Sequence, residues 1–292
     1  MSHAATPVVD SEESSGTPAS VPKSTYTTAS WMSSSEPVVR MDIRGPVERR
    51  LTSARHGPVH LAALIDPDNF DRATAAKVAV DAERMGFECI LVGGSTLGDQ
   101  GHLDNVVRAI KRHVACPVIL FPGNVTGISR YADAILFTSL LNSMNPYFII
   151  GAQAIGAAQV NRHRLEAIPM GYLVFGDEST TSFIGQVRSI PYSKPAIAVM
   201  YALAAQYLGM RTLYLEAGSG SSRPMPPELV KAVRKYFTGF LVVGGGITSP
   251  ETALALASAG ADLLVVGNLF ESEDYREKVS LIAAALRDKL KG

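Results

Sequence analysis

The chain is poor in the features that mark several large protein classes. It has two cysteines, Cys89 and Cys116, with neither CxxC nor metal-ligand spacing. That argues against a disulfide-stapled scaffold or a zinc module and predicts two buried thiols in a reducing, cytoplasmic setting. Neither sign of charge prevails, with 27 basic and 27 acidic residues. Nucleic-acid binders usually carry a basic excess on one face, so no nucleic-acid partner is expected. Long apolar runs are missing as well. Residues 134–160 carry no charge, but Asn142, Asn145, Pro146 and Gln153 interrupt them. A spanning helix needs about 20 mainly apolar residues, so this stretch reads as a strand, a loop and a buried helix. The N-terminus has no apolar core of the signal-peptide kind, which leaves at most peripheral membrane contact.

Hydrophobic residues make up 47% of the 292, enough for a sizeable core in one barrel or two smaller domains. Residues 1–38, rich in Ser, Thr, Pro and Ala with the acidic Asp10, Glu12 and Glu13, bury too little to offset their ordering entropy and are expected to form a disordered tail. The domain proper is placed at 39–292. A short helix over 46–55, with Pro46 in its first turn, would cover one end of it.

From there strands and helices alternate. Strands are predicted at 60–65, 89–92, 117–121, 134–137, 170–174, 212–215, 240–243 and 263–266, and helices at 72–85, 102–114, 146–160, 195–208, 227–237, 250–259 and 273–289. Eight short strands joined by helical crossovers are what a (β/α)₈ TIM barrel needs. An open doubly wound sheet is the alternative, but the turn from Gly93 to Gly98 lacks the dinucleotide-fingerprint spacing. The third crossover is shortened: residues 122–133 span little more than the roughly 10–12 a whole crossover takes. A shrunken helix would open an apolar groove for a long hydrophobic ligand, whereas a short helix at 125–131 would fill the space.

Three strand-like runs end in glycine-rich loops: Leu213 to Gly220, Leu241 to Ile247, and Leu263 to Asn268. Glycines directly after buried strands let backbone N–H groups approach an anion, and the loops after the seventh and eighth barrel strands are the usual phosphate site. Candidate anion contacts are Gly218, Ser219, Gly220, Gly245, Gly246, Gly267 and Asn268. Tyr214 and Glu216 are two apart, so both point into the barrel mouth, where Glu216 could deprotonate an acceptor hydroxyl beside the Tyr214 phenol. Asp66 and Ser95 end neighbouring strands and offer hard oxygen ligands for a Mg²⁺ that holds a diphosphate; the plainer reading of both is turn or cap formation. These residues leave the reaction open.

At these positions the chain resembles the geranylgeranylglyceryl phosphate synthase family, barrel prenyltransferases that include the bacterial heptaprenylglyceryl phosphate synthases. The resemblance covers about residues 46–289. It rests on Leu64-Ile65-Asp66-Pro67-Asp68, Val92-Gly93-Gly94-Ser95-Thr96, Phe121-Pro122-Gly123-Asn124, Ser139 to Tyr147, Ile168-Pro169-Met170-Gly171-Tyr172, Tyr214 to Gly220, Gly244 to Ile247 and Gly267-Asn268. It implies transfer of a polyprenyl group, farnesyl or geranylgeranyl, from its diphosphate to a three-carbon phosphate such as sn-glycerol 1-phosphate. Asp66 and Ser95 would be the Mg²⁺ ligands, and Tyr214, Leu215, Glu216, Ala217, Gly218, Ser219, Gly220, Gly245, Gly246, Gly267 and Asn268 the acceptor site. It also implies a possible homo-oligomer. Chain elongation is not expected, because no Asp-Asp-x-x-Asp motif is present.

Two departures stand out. Thr248 replaces an Arg after the Gly-Gly-Gly-Ile run, and Pro191-Tyr192-Ser193-Lys194-Pro195-Ala196 replaces a more charged stretch. A divergent branch, the moenomycin-pathway enzymes that attach farnesyl to 3-phosphoglycerate, therefore stands as an alternative. A sugar-phosphate isomerase or aldolase would need a Lys or second acid within a strand, and none lies in the predicted strands. A non-catalytic prenyl-lipid binder is the remaining alternative.

Overall fold

Apolar runs of strand length pair edge to edge until the last meets the first. The structure, a computed structural model, describes residues 44–53, 59–96, 98–176, 179–218 and 223–288. The expected tail lies outside them. The strands are β1 (His60–Ile65), β2 (Cys89–Val92), β3 (Val118–Leu120), β4 (Ala134–Leu140), β5 (Glu166–Val174), β6 (Thr212–Glu216), β7 (Phe240–Gly244) and β8 (Leu263–Val266). All pair in parallel and in order, and β8 closes on β1 through His60–Leu263 to Ala63–Val266. The helices are α1 (Pro46–Ser53), α2 (Arg72–Arg84), α3 (Gln100–Lys111), α4 (Ala152–His163), α5 (Thr180–Ile184), α6 (Pro195–Tyr207), α7 (Pro227–Arg234), α8 (Pro250–Ser258) and α9 (Tyr275–Asp288).

Because strand side chains alternate, each strand feeds two cores. Leu61, Ala63 and Ile65 of β1, with Leu213 and Leu215 of β6, pack outward against the helices. Ala62 and Tyr214 face the interior with Leu91, Ile119, Met170, Val242 and Val265. The interior is a packed aromatic and aliphatic column: Phe121 stacks on Tyr214 at 5.3 Å, and Tyr172 meets both edge-on.

The predicted N-terminal helix does cover one end. Val47 and Leu51 of α1 join the interior core at the N-terminal ends of the strands. Its first N–H groups, at Val47 and Glu48, donate to Glu166 at 2.8 and 2.7 Å. Buried Glu48 accepts two bonds from Arg211, at 2.6 and 2.7 Å. β5 begins four residues earlier than predicted and so contains an acid, Glu166, but that carboxylate caps α1 at the floor. Asn142 serves structure too: its amide donates to the Val174 and Arg188 carbonyls, and its oxygen accepts from Val174 N.

The third crossover has shrunk to one 3₁₀ turn, Val125–Gly127, in place of a packing helix. The helix predicted from 146 starts with a π-helical turn, Tyr147–Gly151, before α4. Among the described residues no helix is long and apolar enough to cross a membrane.

Candidate functional site

The missing helix leaves the outer wall open between α3 and α4. A cavity of about 410 Å³ runs from this gap to the C-terminal mouth of the barrel. Its outer part is apolar, lined by Val125, Ile128, Phe137, Phe148, Gly156 and Val160. Gly156 matters here, since a Cβ would stand 3.0 Å from the Ile128 side chain and narrow the groove. At the top the Tyr147 hydroxyl donates to Asn124 Oδ1 at 2.5 Å across the gap.

The inner part is polar. Tyr214 and Glu216 both line it, as their spacing in β6 requires. Glu216 is buried, and desolvation raises its pKa to about 7. Hydrogen bonds from Gly218 N, at 2.7 Å, and from the Tyr214 and Tyr172 phenols act in the opposite sense. Burial, with the Glu216 charge next, in turn lifts both phenols well above their ordinary range, so at neutral pH they are donors. A carboxylate titrating near neutrality within two phenols can accept a proton and release it again.

Opposite Glu216 lie Gly245 and Gly246, with φ of 86° and 67°, a left-handed turn open to glycine at little strain. A Cβ at Gly245 would stand 2.6 Å from the Glu216 carboxylate. The turn therefore brings bare backbone against the base. Gly267, Asn268 and Thr248 line the same mouth.

Asp66 and Ser95 sit on the β1 and β2 side, with Gly94 close against the Asp66 carboxylate. Desolvation raises the Asp66 pKa; the Asp68 backbone N–H lowers it, and the charges of Asp68 and Glu271 raise it further. The Asp66 carboxylate and the Ser95 hydroxyl both line this side of the cavity and are oxygen donors of the kind a hard divalent ion takes. Among the described residues no group of three or more acidic, His or Cys ligands is assembled, so any ion would take its remaining ligands from water and substrate.

The structure thus brings together Asp66, Ser95, Tyr214, Glu216, Gly245, Gly246, Gly267 and Asn268 around one cavity. The side chains of Leu215 and Ala217 join the outer core, and Ala217 also lies beside the glycine turn, its Cβ 2.9 Å from where a Cβ at Gly245 would stand. Gly218 acts through its N–H on Glu216, while Ser219 and Gly220 lie outside the described residues. Two contributors were not among the predicted site residues. Tyr172, within a motif already noted, shares the period of two that places it inward. Thr181 lies on α5, which was not predicted, and its hydroxyl is 3.1 Å from Ser95 Oγ.

Residues 51–286 match the PcrB family. A geranylgeranylglyceryl phosphate synthase of Cenarchaeum symbiosum is 50% identical over 243 residues, covering 83% of this chain and 98% of the relative. One of Nitrosopumilus maritimus is 52% identical over 227 residues, 78% of this chain and 91% of the relative. The crystal structure of (S)-3-O-geranylgeranylglyceryl phosphate synthase from Thermoplasma acidophilum, in complex with its substrate sn-glycerol-1-phosphate, superposes with a TM-score of 0.79 at 38% identity, covering 82% of this chain and 97% of that one. The chain belongs to the PcrB family and is a barrel prenyltransferase of the geranylgeranylglyceryl phosphate synthase kind.

Proposed function

We propose that this enzyme joins a polyprenyl group from its diphosphate to the free hydroxyl of sn-glycerol 1-phosphate, forming an ether and releasing diphosphate. One observation carries the reading: an apolar groove opened by the absent third helix leads to a mouth where the Glu216 carboxylate faces a glycine turn. A greasy chain and a small anion each have a compartment, and the two meet at a base.

In this reading the acceptor phosphate rests on the backbone around Gly245, Gly246 and Gly267, which orients its hydroxyl toward Glu216. Tyr214 and Tyr172 hold the carboxylate in place. Glu216 takes the hydroxyl proton as the acceptor oxygen bonds to the allylic carbon, and later gives it to water. Asp66 and Ser95 would hold Mg²⁺, which when bound would neutralise charge on the departing diphosphate. The packed interior keeps bulk water from the allylic centre.

The test is a product assay with farnesyl and geranylgeranyl diphosphates, sn-glycerol 1-phosphate and 3-phosphoglycerate in competition, with and without Mg²⁺. A prenylglyceryl phosphate formed with Mg²⁺ alone is expected. A prenylated phosphoglycerate would replace the acceptor, and no product with any donor would make the chain a lipid binder.

A further inference from the structure

The wall on the two sides of the groove differs in character. On one side a cleft runs between α2 and α3, and α3 packs on the short crossover through Gln100 Nε2 to Ile128 O, 2.9 Å. Arg72, Lys77, Arg84 and Arg112 line this cleft, all exposed; among the described residues none forms an ion pair, although Asp71 feels the Arg72 charge and Asp81 that of Lys77. Arg276 is there as well, paired to Asp81 at 2.7 Å, and Arg108 lies 5.0 Å from the Tyr131 ring centre. A chain with equal numbers of both charges has gathered cations here. On the other side, α4 and the π turn before it border the groove and expose Ile150 and Ile155, each 64%.

We propose that this sector, from the α2–α3 cleft across the groove opening to the outer face of α4, is a docking surface for a bilayer with anionic headgroups. Charge complementarity selects the partner: the gathered exposed cations attract the headgroups while protruding isoleucines enter the boundary beneath them. A nucleic acid would use the cations but leave the isoleucines and groove without a role. The inference deepens the functional reading, on which it rests, by giving the amphiphilic donor a path from bilayer to groove that avoids water.

The experiment is co-sedimentation of the full chain with phosphatidylcholine vesicles and with the same vesicles doped with phosphatidylglycerol. The doped vesicles are expected to bind the chain and the neutral ones are not. Each cation near such a surface contributes about fivefold in partitioning, so the paired variant Lys77→Glu/Arg112→Glu should weaken binding at least about tenfold. Ile150→Ser/Ile155→Ser should weaken vesicle binding but leave heparin binding unchanged. Equal binding to both vesicle types, undiminished binding of the charge-reversed pair, or binding to heparin but not to the doped vesicles would overturn the proposal. Turnover of a short, water-dispersed donor, which neither variant should alter, reports on the catalytic reading separately. Vesicle binding without turnover would sink that reading alone.

Discussion

The two ends of the barrel handle buried charge in opposite ways. At the floor, Glu48 is buried against a two-pronged Arg211, and Glu166 accepts two α1 N–H groups. At the mouth, Glu216 is buried without a cation among the described residues, and Asp66 is desolvated beside Asp68 and Glu271. Satisfied charges at the floor hold a plug in place. The charges at the mouth lack such partners among the described residues, which disfavours folding and, under the proposed function, leaves them available to a ligand.

The contrast can be broken at either end. The largest effect should come from Asp66→Ala, which removes a mouth carboxylate: Mg²⁺-dependent turnover should fall about ten-thousandfold while thermal stability holds or rises slightly. Retained turnover would cancel the metal assignment. Glu216→Gln should lower kcat about a thousandfold with an unchanged circular dichroism spectrum, since an isosteric amide cannot take the proton. At the floor, Glu48→Ala should leave kcat/KM intact but cost about 3 kcal/mol in denaturant unfolding, because Arg211 loses its partner.

Titration sharpens the same comparison. The folded Glu216 pKa, about 7, lies above the ordinary 4.5, so the folded state binds the extra proton between them. Its contribution to stability is therefore fully present below 4.5 and lost as pH rises through 7. Relative to Glu216→Gln, the parent chain should lose roughly 3 kcal/mol across that window. Turnover should run the other way, rising with pH to a plateau above about 7, and a flat profile would remove Glu216 as the base. The smallest effect concerns the groove. Gly156→Phe should reduce use of a long prenyl donor about tenfold against a short one, by filling space beside Ile128.

Much of this arrangement was legible in the chain. The eight-strand rhythm and the pair Tyr214 and Glu216 follow from periodicity, because alternation ties sequence spacing directly to a face, and Pro46 in its first turn marked the floor helix. The limits of β5 did not, since Pro169 lies within its first half and lacks an N–H, hiding a strand that pairs with β4 over seven residues. α5 was equally hidden: five residues, mostly Ser and Thr, carry no readable helical period, yet they deliver Thr181 to Ser95. For Leu215 and Ala217, membership of a motif carried no information about orientation, since both side chains pack into the outer core.

The sequence by itself determined the order of elements, the glycine loops and the acids at the strand ends, since these are local properties of the chain. Whether the short crossover would fill its gap or leave it open depended on how residues 122–133 pack against α3 and α4, far apart along the chain. Only the tertiary structure decided that, and with it decided that an apolar groove should end at a carboxylate that burial holds near neutrality.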